Sequence, residues 1–318
     1  MNCMKRLCVF AHWDRDNIID DYVIYYLKAL KQVVSTLIFV SDCDLPLKEL
    51  EKLEGIADYK LAQKHNEYDF GSYKRGFLFA KENKIDFEEL IFANDSCYGP
   101  FIPLENIFTK MSKKQCDFWG MTRNRYGITE EHSKPVITPH IQSYFVVFKS
   151  NVFNSPVFLD FINNVKHEDE KNNVIKKYEI GLSQLLYSQG FKSTSYITKY
   201  NFVHNCMSEK WDTLVKKDKF PFIKTSIIKN GFDFMGEAKG WRELIQNYTN
   251  YPLSLVEKNF QRVKNLHENR YAKLNIYRKI RFNLLKNCPL EIRYCVIFLE
   301  KHLFIILNTL CFHKLKKF

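Results

Sequence analysis

The sequence predicts an α/β protein built on a mainly parallel sheet with helices on its faces. Three observations carry this reading. From Lys5 to Lys149, short apolar runs alternate with segments of helical period, the pattern of successive βαβ units. The apolar runs end in polar groups, His12-Trp13-Asp14, Ser41-Asp42 and Asn94-Asp95-Ser96, as when strand ends open on one crevice. Finally, 46% of the 318 residues are apolar, with 27 Phe and 18 Tyr, which supports a substantial core and argues against disorder.

Lys5–Ala11 reads as the first strand; it stops at His12 and is too short for a signal peptide. Ile18–Gln32 has amphipathic helical spacing, Thr36–Val40 is a strand, and Leu45–Leu53 a short helix. Gly71–Asn83 reads as a helix opened by its glycine, Glu89–Ala93 as a strand, and Leu104–Ser112 as a helix. Asp117–Thr122 and Ile141–Lys149 read as strands. Between them, Arg123–Pro139 is polar, with Gly127, Pro135 and Pro139, and reads as a loop long enough to be an active-site flap. Val174–Gln189 is helical and stops at Gly190. Residues 202–240 give no clear assignment. From Ser254 the pattern is helical and basic, with a break at Pro289. The apolar stretch Tyr294–Phe312 is interrupted by Glu300-Lys301-His302 and does not read as a membrane span.

The net charge of +12 is concentrated in the tail. Residues 258–318 hold 14 Lys and Arg against three Glu, a net +11. No nucleic-acid-binding module with interleaved bases and aromatics is present, so nucleic acid is not an expected partner. The nine Cys are odd in number and form no CxxC pair, which reads as reduced, buried thiols rather than a disulfide framework or zinc site.

Five motifs could carry chemistry, and each also has a structural explanation. In Tyr68-Asp69-Phe70-Gly71, a helix N-terminus at glycine suits phosphate, with Lys74 and Arg75 adding charge; the alternative is a plain cap. Asp95 at a strand end can hold Mg²⁺ or Mn²⁺, which need one or two carboxylates plus substrate phosphates; the alternative is a turn Asp. Asp14 could meet a ribose or base edge, with Trp13 packing nearby, or cap the helix near Ile18. His140, Gln142 and Tyr144 alternate along one predicted strand and suit sugar hydroxyls, or form a solvated strand face. Glu179, early in its predicted helix, suits a general base, or a stabilising first-turn acid.

Taken in order, His12-Trp13-Asp14, Tyr68-Asp69-Phe70-Gly71, Asn94-Asp95-Ser96 with Tyr98-Gly99-Pro100, Asp117-Phe118-Trp119-Gly120, His140 to Phe145, Tyr178-Glu179-Ile180-Gly181 and Pro221-Phe222-Ile223-Lys224 resemble the rhamnan synthesis F family of bacterial polysaccharide glycosyltransferases, over about residues 7–230. The resemblance implies a GT-A-like fold with a Rossmann-type mixed sheet and transfer of rhamnose or another hexose or deoxyhexose. It implies a dTDP-, UDP- or GDP-linked donor and a hydroxyl of a surface polysaccharide or lipid-linked glycan as acceptor. Donor-binding candidates are His12, Asp14, Tyr68, Asp69, Gly71, Lys74, Asn94, Asp95 and Ser96; acceptor-binding candidates are Trp119, His140, Gln142, Ser143 and Tyr144. Glu179 looks like the base of an inverting transfer. Where such enzymes carry Asp-x-Asp, this chain reads Asn94-Asp95-Ser96, so Asp95 alone is the metal-ligand candidate, and Mg²⁺ or Mn²⁺ is allowed without being demanded.

The expected organisation is a catalytic domain over 1–252 and a basic amphipathic tail over 253–318. Leu303-Phe304-Ile305-Ile306-Leu307 beside Lys314, Lys316 and Lys317 suits a helix on an anionic membrane surface, which places the protein on the cytoplasmic face of the plasma membrane; packing on the domain is the alternative. Two other function classes stay open: a non-catalytic nucleotide-sugar binder, permitted by loss of the second acid, and a phosphotransferase using the same cradle.

Overall fold

A computed structural model describes residues 4–127, 136–200, 205–230, 232–233, 236–237 and 240–272. In chain order the first half comprises β1 (Arg6–His12), α1 (Asp21–Lys31), β2 (Thr36–Ser41), α2 (Leu47–Glu51), β3 (Tyr59–Ala62), α3 (Tyr68–Glu82) and β4 (Glu89–Asn94). Next come β5 (Cys97–Tyr98), α4 (Leu104–Met111), β6 (Phe118–Gly120), β7 (Arg123–Gly127), β8 (Val136–Ile141) and β9 (Phe145–Lys149). After α5 (Ser150–Phe153) and α6 (Pro156–Asn163), one helix runs as α7 (Lys171–Val174), a π-helical stretch (Ile175–Ile180) and α8 (Gly181–Ser188). The rest is β10 (Ser193–Ser195), α9 (Cys206–Glu209), α10 (Trp211–Asp218), β11 (Ile223–Lys224), α11 (Thr225–Asn230), the pair β12 (Phe232–Asp233) and β13 (Gly236–Glu237), α12 (Trp241–Tyr248) and α13 (Leu253–Ala272).

The main sheet has seven strands in the order β10-β6-β9-β4-β1-β2-β3. β3, β2, β1 and β4 are parallel, β9 is antiparallel to both β4 and β6, and β10 is parallel to β6. The mixed α/β sheet flanked by helices is therefore the expected class. β1 and β4 read as unbroken apolar runs because both faces are covered. Cys8 and Phe10 face one core cluster with α1 and α4, while Leu7 and Val9 face a second with α3 and α6. The chain leaves β1 toward β2 and β3, then returns to β4 on β1's other side. That reversal opens a crevice at the carboxyl ends of β1 and β4.

Three expectations are corrected and one strand was missed. The helix expected from Gly71 starts at Tyr68, so the glycine lies inside its first turn. The stretch read as one strand from Ile141 is two, β8 and β9, joined by a turn over 142–144. The two ends of the expected flap are strands: β7 pairs antiparallel with β8, Arg123 opposite Ile141 and Gly127 opposite Val136, while residues 128–135 lie outside the described residues. Strand β3 was not anticipated; its four residues, Tyr-Lys-Leu-Ala, are edge-exposed and too polar to announce a strand. Five cysteines, at 8, 43, 97, 116 and 206, are buried free thiols, as expected.

The start of the expected tail is part of the domain. In α13, Val256 is fully buried and Asn259 is 1% exposed. Asn259 accepts from the Tyr98 hydroxyl at 2.6 Å and donates to Asp20 at 2.6 Å. Arg262 donates to Asp14, Asp16 and Asp20, and Lys258 pairs with Asp21 at 2.8 Å. These contacts cross the expected boundary at 252/253. The remainder of the tail, with the break at Pro289 and the stripe at 303–307, lies outside the described residues. No helix of the described residues is long and apolar enough to cross a membrane.

Candidate active site

The ends of β1 and β4 are tied together. The Trp13 amide donates to Asp95 Oδ2 at 2.9 Å, and the Asp95 amide to the Ala11 carbonyl at 3.3 Å. The Tyr22 hydroxyl, from α1, donates to the Asp95 carbonyl at 2.9 Å. Burial pushes the Asp95 carboxyl up to about 7; the Trp13 amide opposes this and the charge of Asp69 adds to it. Asp69, in the first turn of α3, is likewise raised by burial and by Glu179, against the pull of Lys171, Lys224 and Asn94. Asp69 thus stands within electrostatic reach of Asp95, Glu179 and Lys224, which joins the two halves of the crevice.

Both ends of the Asn94 amide are engaged. Its amide nitrogen donates to Asp69 Oδ2 at 2.7 Å, and its oxygen accepts from the Ser96 amide at 3.1 Å and hydroxyl at 2.6 Å. The Ser96 hydroxyl in turn accepts from Lys224 Nζ at 3.1 Å. Lys224 Nζ also lies 4.2 Å from the centre of the Tyr144 ring.

Other donor-binding candidates are placed differently from expectation. The Gly71 N–H is not free for phosphate: it donates to the Glu67 carbonyl at 3.1 Å. Glycine is needed there for space, since a Cβ would lie 2.2 Å from that of Glu67. Lys74 donates to the Val165 carbonyl at 2.8 Å and Arg75 pairs with Glu67 at 2.6 Å, so α3 spends both cations away from the crevice. Tyr68 is half-buried against the second core cluster. His12 is buried, shares a 2.9 Å hydrogen bond with Ser41 and is brought down to about 4 by burial, so it is a neutral strut between β1 and β2. Asp14 accepts from the amides of Asp16 and Ile18 at 2.9 and 3.3 Å and pairs with Arg262, which is the capping role.

The acceptor-binding candidates do not line one polar face, because the strand breaks after Ile141. Trp119 is a core residue between Phe108 and Phe145. Gln142 accepts from the Thr122 hydroxyl at 2.7 Å, and that hydroxyl lies 2.8 Å from the Tyr144 hydroxyl, all buried. His140 is buried with Nδ1 2.7 Å from the Thr138 carbonyl; the carbonyl can only accept, so Nδ1 carries the hydrogen. His140 Nε2 then stands 3.9 Å from Glu179 Oε1.

Ser143 and Glu179 are brought together. Glu179 Oε2 accepts from the Ser143 amide at 2.7 Å and the Ser143 hydroxyl at 2.5 Å. The Ser143 carbonyl is held by the Tyr73 hydroxyl at 3.0 Å. Glu179 is not in a first turn as expected but within the π-helical stretch, a local widening frequent at functional sites. Phe70, Tyr73, Ser143, Glu179 and Ser183 line a small cavity beneath this pair.

Sequence reasoning left two residues out of the site. Lys224 stood in a quoted motif without a role, and Lys229 carried no signal at all. Lys229, on α11, is lowered by burial and interacts with Asp95, Asp20 and Asp14, opposed by Arg262. For a divalent cation the donor set is thin. Asn94 has no lone pair to spare and Asp95 is the one acid at the strand end. Among the described residues no three His, Cys, Asp or Glu side chains gather as a metal-binding group.

Comparison with known proteins adds a lineage. The family model described as rhamnan synthesis protein F matches residues 37–304. An uncharacterized protein, y4gN of Sinorhizobium fredii (strain NBRC 101917 / NGR234), is 28% identical over 135 residues, 42% of this chain. The match spans about a third, 34%, of that relative's length. Among solved structures, core-mannan synthase A from Aspergillus fumigatus in its Mn/GDP form is 10% identical, with 57% of this chain and 69% of that chain covered at a TM-score of 0.34. The inositol-1-phosphate CTP transferase from T. maritima is 13% identical, with 61% and 86% covered at 0.38. The mannosyltransferase Ktr4p from S. cerevisiae is 8% identical, with 57% and 65% covered at 0.37.

Proposed function

The chain belongs to the rhamnan synthesis protein F family, and on that premise we propose that it is a glycosyltransferase moving a sugar from a nucleotide-diphosphate donor to a hydroxyl of a growing glycan. The observation that carries the reading is the Glu179 carboxylate, oriented by two Ser143 donors and within electrostatic reach of Asp69, on the crevice that ends β1 and β4. Oε2 is spent on Ser143, so Oε1 is the atom that takes the proton from the acceptor hydroxyl as that oxygen attacks the anomeric carbon. The diphosphate leaves from the opposite face, so the anomeric configuration inverts in one displacement. Asp69 and Asp95 contact the donor from the floor of the crevice. A divalent cation, where used, would sit on Asp95 and share the diphosphate charge.

Rhamnose or another hexose or deoxyhexose is the proposed sugar, and a surface polysaccharide or lipid-linked glycan the acceptor. The basic tail beyond Val263 is proposed to rest on an anionic membrane surface at the cytoplasmic face. Its charge concentration and apolar stripe support this. The test is release of nucleoside diphosphate from a donor panel by wild type and by Glu179→Gln. Glutamine keeps the Ser143 hydrogen bonds but cannot take the proton, so turnover should fall about 10²–10⁴-fold with donor affinity kept. Unchanged turnover would remove Glu179 from this role.

A further inference from the structure

We infer that Lys224 and Lys229 form the diphosphate-binding site of this crevice and supply the positive charge that a divalent cation supplies elsewhere. The inference rests on the glycosyltransferase reading and names how its donor is held.

The carboxylate side of the crevice leaves little for a cation to grip. Both ends of the Asn94 amide are used, and Asp69 and Asp95 each have one oxygen occupied by an N–H donor. The lysine side is the reverse. β11 pairs antiparallel with β5, Lys224 opposite Cys97, and the Thr225 amide donates to the Ser96 carbonyl at 2.9 Å. The pairing is close because residue 99 is glycine at φ +133°, where a Cβ would stand 2.2 Å from the Pro221 carbonyl oxygen. The Asn94–Ser96 strand end and the Lys224 ammonium are therefore fixed against each other by backbone. Lys224 uses one N–H on Ser96 and keeps others for a ligand.

Lys229 follows five residues later on α11 and lies 5.8 Å from the Tyr22 ring, whose hydroxyl holds the Asp95 backbone. It is only partly exposed, yet among the described residues its ammonium has no hydrogen bond or ion pair. Asp14 and Asp20 are taken by Arg262. Asp95, Asp14 and Asp20 attract this half-buried ammonium without a hydrogen bond to it, so its N–H donors lose hydration that a ligand would restore. A diphosphate would, since lysine acts on phosphate as a mobile point charge with three donors. On departure of the sugar, the same two ammonium groups would stabilise the charge that develops on the leaving diphosphate.

The test is calorimetric titration of the full-length protein with inorganic pyrophosphate and with UDP, dTDP and GDP, in EDTA and again with Mn²⁺. At least one nucleoside diphosphate should bind in EDTA within a few-fold of its affinity in Mn²⁺, more weakly as salt rises. Lys224→Met and Lys229→Met should each lose about tenfold or more, the loss of a charge-assisted hydrogen bond. Lys229→Arg, which keeps the charge, should lose less, and thermal melts confirm that each variant is folded. Binding by wild type that requires Mn²⁺, or Met variants that bind as wild type does, would overturn the site while leaving the glycosyltransferase reading standing. If wild type binds no nucleoside diphosphate in either buffer, that reading fails and this site with it.

Discussion

Asp95→Asn should stabilise the ligand-free protein while abolishing turnover. The Asp95 carboxyl is pushed from an ordinary 3.8 up to about 7, chiefly by burial. At 1.36 kcal/mol per pKa unit, a rise of about three units makes the ionised group cost at most about 4 kcal/mol in the folded state. The side chain keeps part of its surface open to the crevice, and its charge strengthens the bond from the Trp13 amide, so the net gain from asparagine should be about 1–3 kcal/mol. The sign follows from linkage. An acid whose folded pKa is raised holds a proton that the unfolded chain releases, so stability falls as pH rises from about 4 to about 7, and the penalty stays constant above that. Asparagine mimics the protonated form, so the two proteins should be nearly equal at pH 4 and differ fully at pH 8. Urea unfolding at both pH values measures this as a shift in midpoint at constant slope. A variant less stable than wild type at pH 8, or a difference independent of pH, would refute the reasoning that Asp95 is a strained functional carboxylate.

Ser143→Ala removes one of the two donors on Glu179 Oε2 and should lower kcat roughly 10–100-fold with little change in KM, read by steady-state kinetics. Arg262→Ala leaves Asp14 and Asp20 without the guanidinium that pairs both and should cost about 1–3 kcal/mol in urea unfolding, since these groups are largely but not wholly buried and keep other hydrogen bonds. His12, brought from 6.5 down to about 4, is a base with a depressed folded pKa; its contribution is full above pH 6.5 and is lost as pH falls toward 4. The Asp95→Asn background, freed of the opposing acid, should show that loss as a steeper decline toward acid than wild type shows. Truncation after Val263 should abolish salt-sensitive flotation on anionic liposomes while leaving donor binding intact; equal flotation would make the tail structural.

The α/β order was legible because its strands are buried on both faces and so read as plain apolar runs, Leu7 to Ala11 and Leu90 to Ala93. Their polar ends marked the crevice for the same reason. What failed was mostly side-chain commitment. Lys74, His12 and Asp14 have the right chemistry and the right neighbourhood, yet each is satisfied by a partner distant in sequence, Val165, Ser41 and Arg262. Pattern alone cannot show that a group is already spent. Gly71 was read as a phosphate approach because glycine opens many helices, whereas here it relieves a clash with Glu67 inside the turn. The alternation in His140 to Tyr144 suggested one polar face, but a turn interrupts the strand, leaving His140 on the Thr138 carbonyl while Gln142 and Tyr144 meet at the Thr122 hydroxyl. Lys229 was invisible because its place beside Asp95 and Tyr22 depends on how α11 packs against α13, a long-range arrangement with no local signature.

The central claim is that the crevice transfers a sugar, and ¹H NMR of the anomeric protons tests it most directly. The protein is incubated with a panel of dTDP-, UDP- and GDP-sugars and a glycan acceptor bearing free hydroxyls. Glycosyl transfer by Glu179 predicts that one donor's anomeric signal decays while a product signal of opposite configuration grows, and that Glu179→Gln leaves both unchanged. A product of retained configuration would contradict the single displacement. Transfer of phosphate to the acceptor with the sugar untouched would contradict the function itself.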